Sequence, residues 1–220
     1  MDGVTIYCGD CMDYLEEIDP MFVLVTDPPY GMRLGKHRGA KDRRSRELRR
    51  GGYASYDDTP ENYRDVVVPA LCKYIDKSVR GAVFALAPSA WMLPAPNALG
   101  SVYIPGATGR SPWGFQNTAP ILFYGTAPDL NLGAKNTAFV ARGVSDMGSG
   151  HPCPKPQKWM DWLVALATKQ GDVVVDPFCG SGTTLRAAKD ARLRTIGVEI
   201  EERYCEIAAK KMSQKVMSYE

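Results

Sequence analysis

Residues 173–184 constrain the fold most. They run Val173-Val174-Val175-Asp176-Pro177-Phe178-Cys179-Gly180-Ser181-Gly182-Thr183-Thr184. The apolar, β-branched start reads as a buried strand, and the end reads as the beginning of a helix, with a glycine turn between. An open α/β sheet binds its ligands at such a place, beyond the carboxyl end of a strand. Gly180 and Gly182 let the backbone approach a ligand closely. The hydroxyls of Ser181, Thr183 and Thr184 stand at a helix N-terminus, which favours a carboxylate or phosphate. Glu199 follows Asp176 by 23 residues and ends the next strand. An acid there can accept hydrogen bonds from ribose hydroxyls. Together these features read as an adenosine-type site. The full G-x-G-x-x-G dinucleotide pattern is absent, because Leu185 takes its last place.

The rest of the chain agrees with this frame. Short apolar runs at 4–7, 22–26, 81–85, 121–124, 173–176 and 195–199 read as strands, and 61–75, 156–168, 183–191 and 202–215 as helices. Strand alternating with helix predicts an open, mostly parallel α/β sheet covered on both faces. The 220 residues suit a single domain, 1–220. Residues 31–59 and 125–150 lack regular periodicity and are longer than ordinary connections, which marks them as functional or disordered loops.

Composition narrows the function classes. No apolar run is long enough for a membrane span, and no signal peptide is visible, so the expected location is the cytoplasm. Six scattered cysteines do not form a secreted disulfide framework. Cys8 and Cys11 form a C-x-x-C pair, but zinc would need two more ligands, so no metal site is expected. Charge is uneven. Residues 33–50 hold nine Lys/Arg and two Asp/Glu, a net of +7, which leaves −5 on the remainder. A basic segment on a mildly acidic body suggests a polyanion contact. Its candidates are Arg33, Lys36, Arg38, Lys41, Arg43, Arg44, Arg46, Arg49 and Arg50.

A second anchor lies at 23–30, where a buried strand ends in Asp27-Pro28-Pro29-Tyr30. The prolines hold the turn rigid and cannot donate hydrogen bonds, leaving local carbonyls as acceptors. Asp27 adds a carboxylate acceptor, and Tyr30 a ring for stacking. That set can accept two N–H bonds from one planar amino group beneath a stacked ring, as an exocyclic amino group on a base would require.

The two anchors together resemble the DNA amino-methyltransferases, which carry D/S/N-P-P-Y/F/W and F-x-G-x-G motifs. Their order here resembles the β class of that family. His151-Pro152-Cys153-Pro154-Lys155-Pro156 is similar to the family's H-P-x-x-K-P segment, and Gly9-Asp10-Cys11 to its adenine-contacting segment. The resemblance implies a circularly permuted, Rossmann-like, seven-stranded methyltransferase sheet ending in an antiparallel hairpin, with S-adenosylmethionine as cofactor. It implies that Asp27, the Pro28 carbonyl, Pro29 and Tyr30 hold the target base. Asp10 and Cys11 would contact the cofactor's adenine, and Glu199 its ribose. Lys155 and the turn Phe178–Thr184 would meet its carboxylate, while Asp176 shapes its methionine end. The substrate implied is duplex DNA with the target nucleotide flipped out, methylated at adenine N6, by an enzyme that often pairs as a homodimer. Cytosine N4 is the rival within this chemistry. Outside it stand a non-catalytic DNA-binding subunit and a dinucleotide-dependent reductase.

Overall fold

The computed structural model describes residues 3–33, 56–86, 89–107, 109–128, 135–141 and 155–214. Its centre is an eight-stranded sheet. The strands in chain order are β1 (Val4–Cys8), β2 (Val23–Thr26), β3 (Arg80–Phe84), β4 (Ala98–Tyr103), β7 (Thr118–Gly125), β8 (Ala138–Val140), β9 (Val173–Asp176) and β10 (Arg194–Glu199). A separate two-stranded hairpin pairs β5 (Gly109–Ser111) with β6 (Gly114–Gln116). The spatial order is β1-β10-β9-β2-β3-β7-β4-β8. From β1 to β3 the strands are parallel, whereas β7 runs antiparallel to both β3 and β4. The antiparallel end is present as expected, but the sheet has eight strands rather than seven. The short β8 adds itself parallel to β4 within the 125–150 segment, which is therefore not wholly irregular.

Alternate residues of the central strands serve the two faces of the sheet. Leu24, Val83 and Val175 pack with Leu71 and Tyr74 of the helix α3 (Val68–Lys77). Val23, Val25, Ala82 and Val174 pack on the other face. They meet Met160, Leu163 and Val164 of α4 (Gln157–Ala167) and Ala187 and Ala188 of α5 (Thr183–Asp190). Both faces are covered, which explains why these strands read as continuous apolar runs. The last helix, α6 (Glu202–Ser213), sets Ala208 and Met212 close to the glycine turn.

The helical segment predicted over 61–75 is continuous but not uniform. The turn α2 (Pro60–Asn62) passes through a π-helical turn, Tyr63–Val67, into α3. Pro69 lacks an N–H and its ring crowds the carbonyl four residues back, so the wider turn lets the helix pass it without a break. Thr59 caps the start, accepting a hydrogen bond from the Asn62 N–H at 3.2 Å.

Gly182 has φ +78°, and a Cβ there would lie 3.0 Å from the Cβ of Ala208. Backbone strain and the α6 contact therefore add. Gly182→Ala should cost about 1–3 kcal/mol of stability, read by urea unfolding. An unchanged midpoint would contradict this packing.

Candidate active site

Strands β2 and β9 are parallel neighbours, with Val23 opposite Val174 and Leu24 opposite Val175. Their carboxyl ends are therefore level. Thr26, at the end of β2, donates from Oγ1 to Oδ1 of Asp176, at the end of β9, at 2.6 Å. Residues 150 positions apart in sequence are thereby locked side by side. The chain leaving each strand turns over the sheet edge, and the two turns border one cavity of about 420 Å³. Both motifs predicted from sequence meet there.

Asp27 lines this cavity with a cation and a hydroxyl on its carboxylate. Its two carboxylate oxygens accept from Nζ of Lys155 at 2.6 and 2.7 Å. The hydroxyl of Tyr30 also donates to Oδ1 of Asp27. The side chains of Lys155 and Asp27 are only 14% and 20% exposed, so this ion pair is screened far less than a surface pair. The ammonium also lies 5.4 Å from the Tyr30 ring centre and 5.3 Å from that of Phe84, within cation–π range. Lys155 precedes Pro156, which N-caps α4, so the buried stripe of that helix anchors it. The family resemblance implies a cofactor carboxylate as the partner of Lys155. In this structure its partner is Asp27.

On the glycine-turn side, Glu199 has a job not visible in the sequence. Its Oε2 accepts from the Gly180 N–H and its Oε1 from the Glu201 N–H, both at 2.9 Å. It braces the turn as well as facing the cavity. Burial pushes its carboxyl up to about 7, against the pull of those two N–H donors. Asp176 is 1% exposed and is pushed up to about 6, again mainly by burial. Hydrogen bonds from Thr184, Thr26 and the Phe178 N–H hold it lower than burial alone would.

The other expected cofactor residues divide into two groups. Asp10, Cys11, Phe178, Cys179, Gly180, Ser181, Thr183 and Thr184 line the cavity. Asp10 also caps the short helix α1 (Cys11–Tyr14), accepting from the Met12 N–H at 2.9 Å. The Gly9 N–H donates to the Glu199 carbonyl, which brings Asp10 alongside the acid. Gly182 is not among the lining residues. Its glycine serves the positive φ and the approach of α6, whereas Gly180, with φ +52°, is the one at the cavity. Burial raises the Cys179 thiol well above its ordinary value, and the side chain packs with Leu185 and Met212.

Of the basic candidates, Arg33 is described. It is exposed and pairs with Glu61 at 3.7 Å. Lys36, Arg38, Lys41, Arg43, Arg44, Arg46, Arg49 and Arg50 lie outside the described residues, as do His151 to Pro154. Where the chain returns, Asp58 is buried and accepts from the Gly31 N–H at 2.8 Å, pinning the exit from the Asp-Pro-Pro-Tyr turn. Tyr56 donates its N–H to Glu201 at 3.0 Å. Both line the cavity, and no periodicity signal marked Asp58. Trp159 and Gln116 also line it, and neither was singled out for the site.

Comparison with known proteins agrees with this geometry. Residues 125–210 match the N6/N4 family described as DNA methylase. The chain is 32% identical over 126 residues to the type II methyltransferase M2.DpnII of Streptococcus pneumoniae, covering 54% of this chain and 47% of that protein. It is 42% identical over 73 residues to the type II methyltransferase M.HindIII of Haemophilus influenzae, covering 32% and 24%. The chain thus matches less than half the length of these relatives. Among solved structures, M1.HpyAVI in complex with SAM superposes with a TM-score of 0.65 at 17% identity, covering 96% of this chain and 100% of that one. The cytosine-N4-specific PvuII DNA methyltransferase does so with 0.67 at 16%, covering 99% and 89%. These two likenesses establish the fold.

The burial of Asp176 makes stability depend on pH. Its folded-state value lies above the unfolded one of 3.8. Between those values the folded chain keeps a proton that the unfolded chain releases, so this stability is complete on the acid side and is lost as pH rises through about 6. Asp176→Asn keeps the acceptor oxygen and removes the titration. The unfolding free energy of D176N relative to the parent should grow from about pH 4 to 6, by at most about 1.4 kcal/mol per pH unit, then level off. A difference independent of pH would contradict the burial argument.

Proposed function

We propose, from the chain's membership of the N6/N4 DNA amino-methyltransferase family, that it transfers the methyl group of S-adenosylmethionine to N6 of an adenine turned out of duplex DNA. The observation that carries this reading is the single cavity shared by the Asp27–Tyr30 turn and the Phe178–Thr184 turn. Its volume falls in the range of small-molecule sites. Its polar lining fits the cofactor: acceptor carboxylates at Glu199 and Asp10 for adenosine hydroxyls and amines, and the hydroxyls of Ser181 and Thr183 with backbone amides of the turn for a carboxylate. S-adenosylmethionine, when bound, supplies an electrophilic methyl on a sulfonium.

The chain's own residues then act on the base. An exocyclic amino nitrogen is a poor nucleophile because its lone pair is delocalised into the ring. Asp27 and the Pro28 carbonyl accept its two N–H groups and draw it toward tetrahedral geometry. This turns the lone pair toward the methyl carbon. With the cofactor bound, its carbon–sulfur bond would break as nitrogen takes the methyl, the Asp27 carboxylate would stabilise the positive charge on nitrogen, and one amino proton would pass to water. Tyr30, held by its bond to Asp27, offers its ring to the base. Holding both reactants in one cavity supplies much of the acceleration. The nucleotide must leave the duplex to reach this depth. The basic segment beyond Tyr30 clamps phosphates beside it. Asp as the first residue of the Pro-Pro-Tyr motif supports adenine over cytosine.

Incubation with duplex DNA and methyl-labelled S-adenosylmethionine, followed by digestion to nucleosides, tests the reading. The expected label is on N6-methyladenine. Label on N4-methylcytosine would keep the chemistry and overturn the base. No label, with cofactor bound, would reject DNA as the acceptor. Asp27→Ala should lower transfer at least about a hundredfold while cofactor affinity holds; unchanged transfer would sink the base site.

A further inference from the structure

The connection between β4 and β7 leaves the sheet after Tyr103 and returns at Thr118. It rises as the β5–β6 hairpin, and its base is closed by the Ile104 N–H donating to the Asn117 carbonyl at 2.7 Å. The tip is ordered. Pro112 fixes φ, and Gly114 takes φ +130°. Ser111 Oγ accepts from the Trp113 N–H at 3.3 Å and donates to the Gly114 carbonyl at 3.2 Å. This tip carries Trp113 at 99% exposure and Phe115 at 65%. Trp113 is almost wholly in water and Phe115 mostly so, and two large aromatics exposed together at one turn mark a contact surface. The roots of the hairpin decide what it touches. Ile104, Gln116 and Thr118 line the cavity that holds Asp27 and Tyr30. Between Pro105 and Thr118 the only charged residue is Arg110, so no carboxylate there opposes a phosphate backbone.

We propose that this hairpin is a DNA wedge, with Trp113 entering the duplex beside the target base and stacking on the bases that lose a neighbour when the nucleotide turns out. The inference rests on the reading of the chain as a DNA methyltransferase. Opening a duplex costs stacking energy, and an inserted ring returns part of it. An aromatic stack tolerates any base, so the wedge aids opening without reading sequence.

The test compares Trp113→Ala and Trp113→Phe with the parent, using labelled S-adenosylmethionine on duplex DNA and on the same DNA heat-denatured. W113A should slow transfer to duplex by roughly tenfold to a hundredfold, the range for one lost base–aromatic stack. Transfer to the denatured strands should be unchanged, and W113F should recover most of the duplex rate. Equal loss on both DNAs, or no loss, overturns the wedge. A parent that sediments as a dimer beside a monomeric W113A also overturns it, by giving the tip to a second copy. If the parent methylates neither DNA, the methyltransferase reading fails, and the wedge is judged on binding. Duplex-induced quenching of fluorescence that is present in the parent and absent in W113F supports it, and equal quenching in the two rejects it.

Discussion

An ammonium and a carboxylate, 2.6 Å apart and mostly shielded from water, join the two ends of the site. Lys155 comes from the segment that leads into α4, Asp27 from the end of β2, and the bond between them spans 128 residues of sequence. Removing one partner of such a pair leaves the other charge poorly solvated, which is why the geometry is stiff. The Tyr30 hydroxyl and the rings of Tyr30 and Phe84 complete the enclosure of the pair. The Asp27 carboxylate, proposed above to meet the amino nitrogen, is thus oriented by the protein's own groups.

That arrangement depends in turn on the sheet. Because β2 and β9 are adjacent and parallel, their turns emerge at one level, tied by the Thr26–Asp176 bond. Glu199, at the end of the next strand, then fastens the glycine turn through the Gly180 N–H. Three neighbouring strand ends therefore each contribute a carboxylate to one cavity. Their environments differ: Asp176 and Glu199 are raised by burial, while Asp27 has a cation beside it. A single fold edge thereby supplies an anionic acceptor at one end and groups suited to neutral hydroxyls at the other.

The sheet's centre was legible because its strands are buried on both faces and so read as apolar runs. The strand predicted at 173–176 has the same bounds in the structure. The antiparallel end was less legible for physical reasons. In β4 only Val102 is buried, and Gly100 sits in mid-strand because a Cβ there would lie 2.4 Å from the Thr137 carbonyl oxygen. Pro120 hides the first part of β7, which is tolerated because β7 at that point has passed the end of β3. The motifs pointed to the site's members, since local residue types carry that signal. The pairing of Lys155 with Asp27 and the bracing of the turn by Glu199 were not legible, because each is a contact between distant segments. Gly180 and Gly182 look alike in sequence, and only their surroundings separate a cavity glycine from a packing one.

Lys155 pairs with Asp27 in this structure, and the methyl-transfer rate tells whether that pairing serves the reaction. The most direct measurement is the single-turnover methyl-transfer rate of Lys155→Met at saturating cofactor, set beside its cofactor affinity by calorimetry. If Lys155 serves Asp27, the rate falls by roughly a hundredfold, with cofactor affinity close to the parent's. A weakened cofactor affinity with an unchanged rate at saturation would contradict it, and would assign the ammonium to the cofactor's carboxylate instead.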